Sequence, residues 1–202
     1  MSAGTWWFLA GYAGLAGFFA LEALTRNAGT ASSLDASSDD RGTTLLIVVA
    51  YTVAACVTPF LRFLPWGSLP LLLAPAGLVV QVAGLSLRGW SMRTLGRFYS
   101  RTLRTEGDEH HAVQTGPYRL VRHPGYAGSL LIWTGFALTS RTALAVAAIA
   151  ALLGWAYWRR IIAEERLLEQ RLPGYSDYRA RTGALIPFIG KRSGDRTRRP
   201  KR

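Results

Sequence analysis

The sequence predicts an all-α integral membrane protein of about five transmembrane helices, the last two folded as a C-terminal helical hairpin. Three observations predict it. Half of the 202 residues are hydrophobic. Apolar runs recur at the length of a spanning helix, about 20 residues. The net charge of +12 is confined to two blocks flanking one apolar stretch. Residues 88–125 hold seven Arg against three acids, and residues 159–202 hold thirteen Lys or Arg against five, leaving the rest of the chain neutral. A nucleic-acid binder would carry such basicity as a patch on a soluble fold, with aromatic side chains interleaved, and neither is present. The large apolar side chains exclude disorder for most of the chain. Cys56, alone, excludes a disulfide framework.

Thr5 to Leu24 is the first span, with Glu22 its only charge. It has no basic leader and no small-residue cleavage site, so it reads as a retained helix rather than a signal. Thr43 to Leu64 is the second, interrupted by Pro59 and carrying Arg62 where it snorkels to the interface. Leu69 to Leu87 is the third, with Pro75 inside and Gln81 its one strongly polar side chain. Tyr126 to Thr139 is short alone and begins near Pro124, a helix-starting proline. Thr142 to Trp158 follows after only Ser140 and Arg141, hence the hairpin over 124–158. Gly11, Gly14 and Gly17 predict close helix contact along the first span.

These spans divide the chain into three N-terminal helices over 1–87, a core over 88–190 containing the hairpin, and a disordered basic tail over 191–202. Lys and Arg near helix ends mark the cytoplasmic side. Both basic blocks, including 88–123 and the C-terminus, are therefore expected in the cytoplasm of a multi-pass cell-membrane protein with its N-terminus outside. The tail holds seven bases against Asp195 and is expected to be drawn to anionic lipid headgroups.

The chemistry-bearing residues follow the third span. His110-His111-Ala112-Val113 leads into Gly116-Pro117-Tyr118-Arg119-Leu120-Val121-Arg122-His123-Pro124-Gly125-Tyr126-Ala127-Gly128. Gly116-Pro117 and His123-Pro124 are turn signals, because a residue before proline avoids the helical region. They fix a short piece whose backbone donors and acceptors are free to meet a ligand. A second cluster comprises Arg159-Arg160-Ile161-Ile162-Ala163-Glu164-Glu165, then Pro173-Gly174-Tyr175-Ser176-Asp177-Tyr178 and Ile186-Pro187-Phe188-Ile189. Arg160 and Glu164, four apart, share a helix face, as an ion pair or as a site. Tyr175 and Tyr178 read as interfacial anchors or packing. His110 and His111 are adjacent and point apart with no third ligand at a suitable spacing, so no metal site is expected.

Taken together, GPYRLVRHPGYAG, RIIAEERLL, PGYSDY and IPFI resemble the isoprenylcysteine carboxyl methyltransferase family, within the wider phospholipid methyltransferase-like membrane enzymes. The resemblance covers Thr94 to Ile189. It implies S-adenosyl-L-methionine as cofactor, held in a cytoplasmic pocket, and a lipid or isoprenoid substrate. By position, it implies cofactor contacts at His110, His111, Ala112, Val113, Tyr118, His123, Pro124, Gly125, Tyr126 and Glu164. Arg160 is implied to face a substrate carboxylate, making Arg160 and Glu164 the catalytic pair. The chain departs from the family where Ala112-Val113 replaces a frequent Leu-Val, and an amide-bearing position upstream falls on Leu103.

The alternatives are a lipid N-methyltransferase, a membrane reductase and a non-enzymatic membrane anchor. A carboxylate acceptor is ionised at neutral pH and needs no base. An amine acceptor needs one, and Glu164, Glu165 and His123 are the candidates. A nicotinamide-dependent reductase fits poorly, since no GxGxxG loop is present.

Overall fold

The computed structural model describes residues 2–25, 42–64, 67–96, 112–187 and 189. They form six α-helices and no strand: α1 (Ala3–Leu24), α2 (Thr43–Leu61), α3 (Leu73–Leu95), α4 (Pro124–Thr139), α5 (Ala143–Arg171) and α6 (Tyr175–Arg181). A 3-10 turn, Gly116–Arg119, precedes α4. Three of these helices, α1, α2 and α5, are long and apolar enough to cross a membrane. The other two candidates fall short for different reasons. Helix α4 has 16 residues, about 24 Å at 1.5 Å per residue. Helix α3 has the length but carries Gln81, Arg88 and Arg93.

The boundaries differ from the sequence expectation at instructive places. Helix α3 starts at Leu73 rather than Leu69. A start at Leu69 would put Pro75 in the helix interior, where it lacks a donor and clashes with the preceding turn. A start at Leu73 places it in the first turn, where no intrahelical donor is needed. The helix also runs on to Leu95, past Leu87, because Arg88 is not a loop charge. Its guanidinium reaches Glu22 on α1, with Nε at 2.6 Å, and donates to the Gly125 carbonyl at 2.9 Å and to Ser129 Oγ at 2.7 Å. Part of the first basic block is thus interior. Helix α5 continues unbroken beyond Trp158 to Arg171. Its 29 residues extend about 43 Å, longer than the roughly 30 Å hydrocarbon core, so its charged last turns project from the apolar part.

Helices α1, α3 and α5 run one way, α2 and α4 the other. At one end, Arg62 donates to Thr5 at 3.1 Å and Ala143 N–H to the Gly67 carbonyl at 2.8 Å. At the other end lie Glu22, Thr43, Arg88, Pro124 and Arg160, the end at which the functional motifs gather. Between them sits the apolar core of Phe8, Leu15, Phe18, Ile132, Trp133, Phe136, Leu153 and Tyr157.

The closest packing is between α3 and α4, where glycines seven residues apart on each helix interlock. A methyl group built on Gly84 would stand 2.7 Å from the Gly128 carbonyl, and one on Gly77 2.6 Å from the Gly135 carbonyl. The α1 glycines are consumed inside the chain as well: Gly11 faces Thr139, and Gly14 faces Gln81, whose Nε2 donates to the Gly11 carbonyl at 3.0 Å. Gly84→Ala is expected to force the α3–α4 backbones apart and cost about 1–3 kcal/mol. Thermal unfolding in detergent, read by tryptophan fluorescence, should show a lowered midpoint. An unchanged midpoint would refute the interlock.

Candidate functional site

The site is built where three separated pieces of chain meet: the stretch 112–126, the far third of α5, and the segment from α6 to Ile189. The meeting is written in the backbone. Arg122 N–H donates to the Gly183 carbonyl at 2.9 Å and His123 N–H to the Ala184 carbonyl at 3.0 Å, with a parallel bridge between Val121 and Gly183. The residue before Pro124 is disfavoured in the helical region, so the Arg122 and His123 amides take acceptors outside the helix, on the C-terminal segment. Pro173-Gly174 makes the reversal that brings this segment back. Gly174 sits at φ +77°, in the left-handed region that glycine enters without strain.

Glu165 stands at the centre. Its Oε1 accepts from Arg122 Nε at 2.7 Å and lies 3.2 Å from His123 Nε2. Its Oε2 is 3.0 Å from Arg179 Nε on α6. Arg122 continues outward, donating to the carbonyls of Arg179 and Thr182. Arg179 also pairs with Glu169. Glu165 lies about two turns past Trp158, beyond the apolar part of α5. Burial alone would raise its carboxyl, but the hydrogen bonds and charges of His123 and Arg122 outweigh that and hold it down to about 2.

A second arrangement sits beside it. Tyr126 donates its hydroxyl to Glu164 Oε2 at 2.6 Å and receives Arg160 Nε at 3.1 Å. Arg160, 2 % exposed, also donates through NH1 to Thr43 Oγ1 at 2.9 Å and Thr44 Oγ1 at 3.0 Å in the first turn of α2. The tyrosine hydroxyl thus bridges the two residues expected to be catalytic. The His123 ring stacks on Tyr126 at 5.5 Å with 9° between planes, and its Nδ1 is 3.9 Å from Glu164 Oε2. Glu164 keeps a quarter of its side chain exposed.

His123, Pro124, Gly125, Tyr126, Arg160 and Glu164 therefore converge. Tyr118 and Ala112 belong to an adjoining cluster. The Tyr178 hydroxyl donates to the Tyr118 carbonyl at 2.6 Å, and burial pushes that phenol up to about 12. Ala112 packs with Leu168, Leu172, Tyr175 and Tyr178. Val113 is half-buried just before the 3-10 turn. His110, His111, Leu103, Phe188 and the tail 191–202 lie outside the described residues. Sequence reasoning missed the roles of Arg122, Glu165, Arg88, Thr43 and Thr44. Arg122 and Glu165 each had a signal, as neighbours of His123 and Glu164. The two threonines had none.

Residues 77–170 match the model of the isoprenylcysteine carboxyl methyltransferase (ICMT) family. Over that stretch, the chain is similar to that family. It is 32% identical over 115 residues to a probable protein-S-isoprenylcysteine O-methyltransferase of Oryza sativa subsp. indica, covering 56% of this chain and 60% of that protein. It is 29% identical over 113 residues to the cobalt-zinc-cadmium resistance protein CzcN of Cupriavidus metallidurans, covering 56% and 52%. A solved structure of the eukaryotic intramembrane Ras methyltransferase ICMT superposes with a TM-score of 0.54 at 27% identity, over 73% of this chain and 52% of that one. The chain thus spans about half to three-fifths of the length of these relatives.

The Glu165 cluster has a pH signature. Its folded carboxyl at about 2 lies below the ordinary value near 4.5, so its contribution is present above pH 4.5 and lost as pH falls through 2. The difference is on the order of 3 kcal/mol. Glu165→Gln is expected to lower the unfolding midpoint at neutral pH and to flatten its dependence between about pH 5 and pH 2. Parallel acid titrations of variant and wild type would contradict the assignment.

Proposed function

We propose that this protein is a membrane methyltransferase that uses S-adenosyl-L-methionine and esterifies the carboxylate of a lipid-like substrate. The observation that carries the reading is the Arg160–Tyr126–Glu164 bridge at one end of the helix bundle, beside the His123-Pro124 turn. The match of residues 77–170 to the methyltransferase family model supports it.

The residues present suit such a cofactor. Glu164 offers a partly exposed carboxylate acceptor, and the buried Tyr175 hydroxyl has no hydrogen-bond partner among the described residues. His110, His111, Ala112, Val113, Tyr118, His123, Pro124, Gly125, Tyr126 and Glu164 would hold the cofactor. When bound, S-adenosyl-L-methionine supplies a methyl group already electrophilic on its sulfonium. The chain's own work is then to bind, orient and exclude water, bringing reacting atoms to about 3–3.5 Å in line. Arg160 would orient the substrate carboxylate through its planar fork, whose plane Thr43, Thr44 and Tyr126 fix. Burial around Arg160 strips water from the carboxylate it binds.

Of the three candidate bases for an amine acceptor, Glu165 is unsuited. An amine must lose a proton to attack, and Glu165 is held ionised by Arg122, His123 and Arg179, with too little basicity to take one. Because relatives carry both isoprenylcysteine and metal-resistance names, the acceptor is proposed as a lipid-like carboxylate rather than as isoprenylcysteine itself. In the membrane, we place five crossings, with the site end and both basic blocks cytoplasmic and the N-terminus outside. The tail 191–202 would rest on anionic lipid at about 1 kcal/mol per basic residue near the surface. The same division of the chain then holds as proposed for its three parts: 1–87, 88–190 and the tail.

The test is methyl transfer from labelled donor to lipids that share one tail and differ in headgroup: carboxylic acid, amine and methyl ester. A base-labile methyl product from the acid alone is expected. An alkali-stable product from the amine would sink the carboxylate reading. Arg160→Lys should lower kcat/KM for the acid about 10–100-fold, the loss of one charged, forked hydrogen-bonding partner.

A further inference from the structure

Tyr175 opens α6 and is 3 % exposed, yet its hydroxyl has no hydrogen-bond partner among the described residues. Burying a hydroxyl without a hydrogen bond costs stability, and phenylalanine would fill the same space without that cost. Its neighbour supplies the contrast. Tyr178, equally buried, donates to the Tyr118 carbonyl at 2.6 Å, and the two rings meet edge to face at 5.9 Å. One tyrosine of the pair thus has a structural use for its hydroxyl and the other has none among the described residues.

The surroundings define what kind of ligand would use it. The Tyr175 ring packs in the cluster that contains Ala112, the first described residue of the stretch expected to meet the cofactor. Burial raises its phenol well above the ordinary range, and the carboxylates of Glu165 and Glu164 raise it further, so the group remains a protonated donor beside the site. Donor and carboxylates together suit a ligand rich in hydroxyls, amines or ring nitrogens. A purely apolar tail would use neither.

We propose that the Tyr175 hydroxyl is a direct hydrogen-bonding contact for the polar part of S-adenosyl-L-methionine. This rests on the methyltransferase reading and adds a binding residue from the segment after α5, beyond the 77–170 family match. It also accounts for PGYSDY as more than a membrane-interface anchor.

The test uses the full chain in detergent. Calorimetric titration with S-adenosylhomocysteine is run on wild type, Tyr175→Phe and Tyr178→Phe, alongside thermal unfolding of each without ligand. Tyr175→Phe is expected to bind about tenfold more weakly while its unfolding midpoint is unchanged or raised. Tyr178→Phe should show a lowered midpoint, having lost the bond to Tyr118. Unchanged affinity in Tyr175→Phe, or a midpoint lowered like that of Tyr178→Phe, overturns the proposal. No binding to folded wild type overturns the methyltransferase reading itself, a separate outcome.

Discussion

The carboxylate of Glu165 accepts from Arg122 and His123 and is paired with Arg179, which joins α5 to the stretch before α4 and to α6. Everything that makes a site of this bundle end depends on that junction. Without it, Gly183 and Ala184 have no reason to lie along Val121–His123, and the Arg122 and His123 amides lose their acceptors. The interaction is costly by nature, since several charged groups are taken out of water. It is offset because the carboxylate is met on both oxygens and Arg122 spends further donors on the Arg179 and Thr182 carbonyls.

The N-terminal helices are drawn into the same end by a parallel device. Glu22 on α1 pairs with Arg88 on α3, and that guanidinium also holds the Gly125 carbonyl and Ser129 in the first turns of α4. Thr43 and Thr44 on α2 hold Arg160. None of Glu22, Thr43 or Thr44 lies within the family match at 77–170. Groups outside that match therefore help to fix the orientation of residues within it.

Much of this was legible in the sequence, and what was hidden has a physical cause. The apolar runs gave α1 and α2 nearly to the residue, and Ser140-Arg141 gave the short turn between α4 and α5. The convergence of His123, Tyr126, Arg160 and Glu164 was what the family resemblance implied. Hydropathy misplaced the ends of α3 and α5, because it counts Arg88 or Arg160 as a helix-ending charge with no knowledge of a partner 66 or 117 residues away. The arginine–threonine contacts were invisible for a related reason: a threonine at a helix start reads as a capping residue until the facing helix is known. Tyr175 and Tyr178 looked alike in sequence, and only the placement of one hydroxyl against the Tyr118 carbonyl separates them.

The most direct measurement of the central claim is residue-level hydrogen exchange in wild type and Glu165→Ala, in the same detergent at neutral pH. If Glu165 holds the junction, the Arg122 and His123 amides, bonded to Gly183 and Ala184, exchange much faster in the variant, while amides of α1 and α2 keep their protection. Equal protection of Arg122 and His123 in both proteins would contradict the account, because the junction would then stand without the carboxylate said to hold it.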